Sequence, residues 1–207
     1  QISSKSMLLN VKAGKRLVDE CISPKQRELI AEAKAAKAAG EAAPVKAMLE
    51  AGTAAGIPVM VDFGTFKDER PFSELVTKKL RPGDIYTHFY LPWVPMLDAA
   101  NKVQPYMWEG RKRGVIYDVG HGGGSFVFRH AANAIKQGLL PDSISTDLHT
   151  SSMNTSMKDI LNVMDKLLAM GMPLDSVILR TTWNPAREIH REELGNLSVG
   201  APADVAV

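Results

Sequence analysis

The sequence predicts an α/β fold in which a parallel sheet is sandwiched or ringed by helices. Two observations carry this. Four short, β-rich apolar runs, "IPVMVDF" (57–63), "DIYTHFY" (84–90), "GVIYDVGH" (114–121) and "DSISTDLH" (142–149), start roughly 26 to 30 residues apart, the length of one βα unit. Between them lie amphipathic segments with helical spacing, and that alternation leaves parallel strands as neighbours.

The elements follow in chain order. "MLLNVK" (7–12) reads as a strand ending on a lysine. Residues 23–56 are rich in Ala, Lys and Glu and read as helical. Ser23 and Pro24 suit an N-cap and first helical position, while Gly40 and Pro44 break the stretch into two helices. "FSELVTKKL" (72–80) places Phe72, Leu75, Val76 and Leu80 on one face. "SFVFRHAANAIKQG" (125–138) and "MKDILNVMDKLLAMG" (157–171) each end on a glycine, a natural helix stop. "PLDSVILRTTWNPAREI" reads as two short helices, and the Gly and Pro of "LGNLSVGAPADVAV" bracket a small turn-and-strand tail. Trp93, Trp108 and Trp183 are expected to be buried between barrel and helices, and Arg129 and His130 to lie at the surface.

Composition narrows the function. The 207 residues carry 25 basic against 23 acidic side chains, a net charge of +2 that leaves no electrostatic footprint for nucleic acid or an anionic membrane. No apolar run approaches the ~20 residues that span a bilayer, and "QISSKSMLLN" lacks the basic start and apolar middle of a signal peptide. The lone Cys21 suits a reducing compartment. A soluble, cytoplasmic protein with a small-molecule substrate is the expectation.

In parallel α/β folds the C-terminal strand ends form the working face. Here they carry Lys12, Asp62, His88, His121 and Asp147, with His149 just beyond. All are metal-ligand or acid–base types. "GHGGGS" lacks both the Lys-Ser/Thr of a P-loop and the G-x-G-x-x-G spacing of a dinucleotide site. A helix N-terminus leaves phosphate binding open. The favoured reading is that Gly122 and Gly123 let backbone approach a substrate while His121 points into the site.

Six motifs, "IPVMVDFG", "LRPGDIYTHFY", "RKRGVIYDVGHGGGSF", "PDSISTDLHT", "TTWNPAREI" and "LGNLSVGAPADVAV", together resemble the amidohydrolase superfamily, nearest its dihydroorotase-like amidohydrolase/deacetylase group, from about Ile57 to Val207. The resemblance implies the C-terminal part of a (β/α)8 TIM barrel, strands 4 to 8, over residues 1–193. A small β-domain would begin at 194–207. It implies one or two zinc ions per full-length chain. His88 would be the strand 6 histidine ligand, Asp147 the strand 8 aspartate acting as ligand and general base, and Lys12 the bridging lysine. Asp62 stands where the family commonly has histidine. His121, Gly122, Gly123 and His149 would meet substrate. The implied reaction is hydrolysis of an amide or ester, as in deacylation of a small acylated carboxylic acid or opening of a cyclic amide.

Two departures accompany the resemblance. No H-x-H, the strand 1 ligand pair, occurs in these residues, so the chain reads as a fragment of a longer protein. The stretch between Lys12 and Asp62 exceeds one βα unit. The competing expectations are a catalytically incomplete fragment or non-catalytic binding module, self-associating through unpaired barrel edges, and a Schiff-base lyase using Lys12.

Overall fold

The computed structural model describes residues 24, 28, 31, 44–62, 68 and 70–202, and the chain divides into two compact units, Gln1–Ile57 and Pro58–Val207. The expected 7–12 strand, Lys12 and the 203–207 tail lie outside the described residues. In the first unit, helix α1 (Pro44–Ala55) starts on the proline predicted to break the Ala-rich stretch. Proline fits there because a first-turn N–H needs no intrahelical partner.

In the second unit three parallel strands pair in chain order: β1 (Met60–Val61), β2 (Ile85–Tyr86) and β3 (Ile116–Tyr117). The register sets Met60 beside Ile85 beside Ile116, and Val61 beside Tyr86 beside Tyr117. The regular ladders are shorter than the predicted seven- to eight-residue runs. The fourth run, 142–149, joins through a parallel bridge between Asp118 and Ser143. Further bonds from Val119 N–H to Ser143 O (3.2 Å), His121 N–H to Ser145 O (3.1 Å) and Gly122 N–H to Thr146 O (2.9 Å) continue it.

Period-2 alternation gives the sheet two faces. Val61, Tyr86 and Tyr117 are fully or almost fully buried, among Phe72, Phe89 and Met107. The Phe89 and Tyr117 rings stack at 4.7 Å, and Tyr86 meets Phe72 edge-on at 4.9 Å. Offset-stacked and T-shaped contacts are the favoured aromatic arrangements.

The helices correct several expectations. The 72–80 segment is a short turn of α-helix, α2 (Phe72–Glu74), running into a π-helical turn, Leu75–Lys79. Helix α3 (Pro105–Lys112) was not anticipated, because "PYMWEGRK" has no apolar periodicity and buries only Met107 and Gly110. Gly110 is required there: a Cβ would overlap the Tyr117 hydroxyl, which donates to Met107 O at 2.9 Å. Helices α4 (Phe128–Lys136) and α5 (Ile160–Ala169) start three residues later than the predicted ranges. Asp159 caps α5 by accepting from Asn162 N–H at 2.8 Å. The two short helices, α6 (Leu174–Thr181) and α7 (Trp183–Glu188), are present as expected. Trp93 and Trp108 are exposed rather than buried, and His130 is buried rather than at the surface. Among the described residues no helix is long and apolar enough to cross a membrane.

At the N-terminal end of the second unit's strands, Asp84 locks β1 to β2. Its carboxylate accepts from Val59 N–H (3.0 Å), Arg81 N–H (2.7 Å) and the Arg81 guanidinium (2.7 and 2.9 Å).

Candidate active site

The C-terminal strand ends gather four of the predicted residues. His88 Nε2 lies 3.8 Å from Asp62 Oδ2 and 4.0 Å from Asp147 Oδ2, and His149 Nε2 lies 3.9 Å from the same Asp147 oxygen. His88 is largely buried, whereas Asp62, Asp147 and His149 are open to solvent. His88 and Asp147 both have left-handed backbone, with φ of 58° and 49°. Such conformations are uncommon outside glycine and concentrate at functional sites.

The His88 tautomer follows from its partner. Nδ1 lies 2.6 Å from Gly120 O, and a carbonyl only accepts, so Nδ1 carries a proton and donates it. In the neutral ring Nε2 is then a lone pair facing two carboxylates. Such an arrangement has acceptors on every side and no donor between them. That donor chemistry fits a divalent cation, and a backbone carbonyl behind the distal ring nitrogen is the usual support of a metal-binding histidine. The spacing is open, however. Zinc bonds of about 2.0 Å at tetrahedral angles separate donors by roughly 3.3 Å, so the gaps at His88 would have to close by about half an ångström. Among the described residues no group of three or more His, Cys, Asp and Glu is gathered tightly enough to hold a metal ion.

Asp147 is held from behind by the 149–152 turn. Ser152 Oγ donates to Asp147 O (3.0 Å) and accepts from His149 N–H (2.9 Å), while Ser151 Oγ contacts His149 Nδ1 at 2.7 Å. Gly122 passes close to the carboxylate. A Cβ there would sit 2.8 Å from Asp147 Oδ2, and φ is +51°, so only glycine fits. Gly123 lies beside it, where an added Cβ would meet nothing nearer than Thr155 Oγ1 at 3.6 Å.

His121 does not face the other four. It is 2% exposed and stacked on Phe126 at 4.5 Å. Its Nε2 accepts from Lys166 Nζ at 3.0 Å, and its Nδ1–H donates to Gly122 O at 2.9 Å. Both ring nitrogens are therefore engaged within the protein, and His121 shapes the glycine loop from beneath. Burial lowers its pKa, with the Lys166 charge adding to the effect against the Gly122 hydrogen bond. Burial likewise lowers that of Lys166, helped by Lys158.

Sequence reasoning missed Lys166, which sits 45 residues from His121, and the buried group formed by Asp118, Thr87, Ser143 and Ser145. In the second group, Ser143 and Ser145 share one strand face, and the pairing with Asp118 depends on register. A cavity of about 480 Å³ lies elsewhere, at the opposite end of β3, lined by Arg111, Ile116, Asp142, Arg187, Glu188 and His190 among others. The chemistry-bearing side chains are at the strand ends, so the cavity does not mark the candidate active site.

Parallel strands flanked by helices, with acid–base and ligand-type side chains on their C-terminal ends, define the class as a barrel-type α/β fold. No family model matches the chain. It is 41% identical over 137 residues to a deacetylase of Brucella anthropi, covering 64% of this chain and 33% of that protein. Among solved structures, an adenine deaminase superposes with a TM-score of 0.72 at 30% identity, covering 78% of this chain and 44% of that one. A dihydroorotase superposes with a TM-score of 0.61 at 35% identity, covering 72% and 40%. These relatives and neighbours are amidohydrolase-superfamily members, the chain is similar to them over the matched residues, and its fold is part of a TIM barrel. It spans about a third of the length of the curated relatives it matches.

Proposed function

We propose that the protein is the C-terminal barrel portion of a zinc-dependent hydrolase that cleaves the amide or ester bond of a small acylated carboxylic acid. The observation that carries the reading is the His88 Nε2 lone pair aimed between two carboxylates with its tautomer fixed from behind. Support comes from the name of the 41%-identical relative, a deacetylase. In this reading the barrel extends to residue 193 and the small β-domain begins at 194. In the same reading the protein works in the cytoplasm.

The division of labour follows from exposure and reach. His88 Nε2 and the Asp147 carboxylate would hold the metal, with the Asp62 carboxylate beside them. A bound divalent cation supplies a water nucleophile near neutral pH and polarises the scissile carbonyl. Asp147 would accept a proton from the attacking water and return it to the leaving group. His149, its Nδ1 engaged by Ser151, directs Nε2 towards Asp147 and stabilises charge on the substrate side. Gly122 and Gly123 present backbone to the substrate.

Elemental analysis of the purified chain after zinc dialysis tests this, together with His88→Ala and Asp147→Asn. The expected result is about one zinc per chain, lost in both variants, and deacylation in a screen of N-acyl and O-acyl acids. A folded chain that takes up no metal would overturn the reading.

A further inference from the structure

Beneath the candidate site, Asp118 is 2% exposed. Among the described residues no cation pairs with it. Instead three hydroxyls converge on its carboxylate: Thr87 Oγ1 and Ser145 Oγ donate to Oδ2 at 2.8 and 2.7 Å, and Ser143 Oγ donates to Oδ1 at 2.8 Å. Among the described residues its side-chain donors are these three neutral hydroxyls, which orient their protons towards it.

Each hydroxyl has one proton, and Asp118 claims all three. Ser145 Oγ is thereby left with only lone pairs for other partners, and it accepts Gly120 N–H at 3.1 Å. Gly120 is held on its other side as well, because its carbonyl takes the His88 Nδ1 proton at 2.6 Å. Its φ of +46° and the absence of a Cβ allow this. An added Cβ would overlap Thr87 Oγ1 and lie 2.9 Å from His88 Nδ1. A second route runs through Thr87, which Asp118 fixes and which immediately precedes His88.

We infer that Asp118 is a positioning residue for His88: through Ser145 and Gly120, and through Thr87, it sets the Nδ1–H tautomer and aims Nε2 at the gap between Asp62 and Asp147. The catalytic consequence rests on the function proposed above, but the geometric one does not.

The test is Asp118→Asn in the whole chain, without metal or substrate. Circular dichroism reports the fold. Nitrogen-15 spectra of the histidine side chains at one fixed pH report the tautomer, with His88 assigned by His88→Gln. The wild type is expected to show His88 with Nδ1 protonated. Asp118→Asn should stay folded while the His88 signal moves towards the other tautomer or a mixture. In an active preparation, kcat should fall ten- to a hundred-fold, the usual range for groups behind a ligand, with KM little changed. A folded Asp118→Asn protein with an unchanged His88 signal would overturn the inference. Should Asp118→Asn not fold, Ser145→Ala keeps the carboxylate and removes only the link to Gly120. An unchanged His88 signal there would overturn it equally. Failure of deacylation with a shifted His88 signal would remove the proposed function and leave the positioning role standing.

Discussion

Glu188→Gln should stabilise the protein at pH 8 and do almost nothing at pH 4.5. Glu188 closes α7 and is partly buried beside the cavity at the opposite end of β3. Burial pushes its carboxyl up to about 7; a hydrogen bond with Ser143 opposes this, the charges of Asp118 and Asp142 add to it, and Arg180 opposes it. The unfolded chain releases this proton near 4.5, whereas the folded chain keeps it until about 7. Between those values the folded state binds more protons, so stability falls as pH rises through the window. A rise of roughly 2.5 in pKa corresponds to about 3 kcal/mol, and solvent screening of the partly exposed carboxylate reduces this to about 1–2 kcal/mol. Glutamine mimics the protonated form and escapes the penalty. Urea denaturation at the two pH values reads the difference as a shift in midpoint at constant slope. An equal gap at both pH values, or a Glu188→Gln protein less stable at pH 8, would refute the account of burial.

Two further substitutions probe the frame around the site. Gly110→Ala puts a methyl against the Tyr117 hydroxyl and 3.0 Å from Val76 Cβ, so a loss of about 1–3 kcal/mol is expected from overpacking; an unchanged urea midpoint would mean Tyr117 yields freely. Asp84→Asn should cost about 2–3 kcal/mol at pH 7 by breaking charge-assisted hydrogen bonds. Burial raises the Asp84 carboxyl most, yet Arg81 and the N–H groups of Val59 and Arg81 together outweigh it and hold the pKa below the ordinary value. That stability is present above the ordinary carboxylate pKa and fades on acidification, so the deficit of Asp84→Asn should narrow towards pH 3 in the same assay.

The strand-end cluster was legible because strand ends can be read off hydrophobic runs without knowing the register. Asp62, His88 and Asp147 were picked out by that rule and come together in space. His121 was picked out by the same rule and lies apart, because which way a strand-end side chain turns depends on packing: here Phe126 covers the ring and Lys166 occupies its Nε2. The Asp118 group was hidden for a different reason. Thr87, Ser143 and Ser145 are unremarkable strand residues until the pairing sets them on one face with Asp118, and that register is a long-range property. Helix α3 was hidden because most of its side chains are not in the core, which leaves no periodic signal.

Alternation also shows why His88 needs its unusual backbone. Tyr86 faces the aromatic core beside Phe72, and Thr87 faces Asp118 on the other side. Strict period-2 geometry would send His88 after Tyr86 into the core. The left-handed turn at φ 58° breaks the period and brings the ring round to Gly120 O, with Nε2 towards Asp62 and Asp147. A conformation of that kind costs on the order of 1–3 kcal/mol and persists only where the surroundings fix it. The 2.6 Å bond to Gly120 O, and Gly120 itself clamped by Ser145 under Asp118, supply that constraint. The left-handed turn at His88 and the buried carboxylate of Asp118 are thus linked through Ser145 and Gly120.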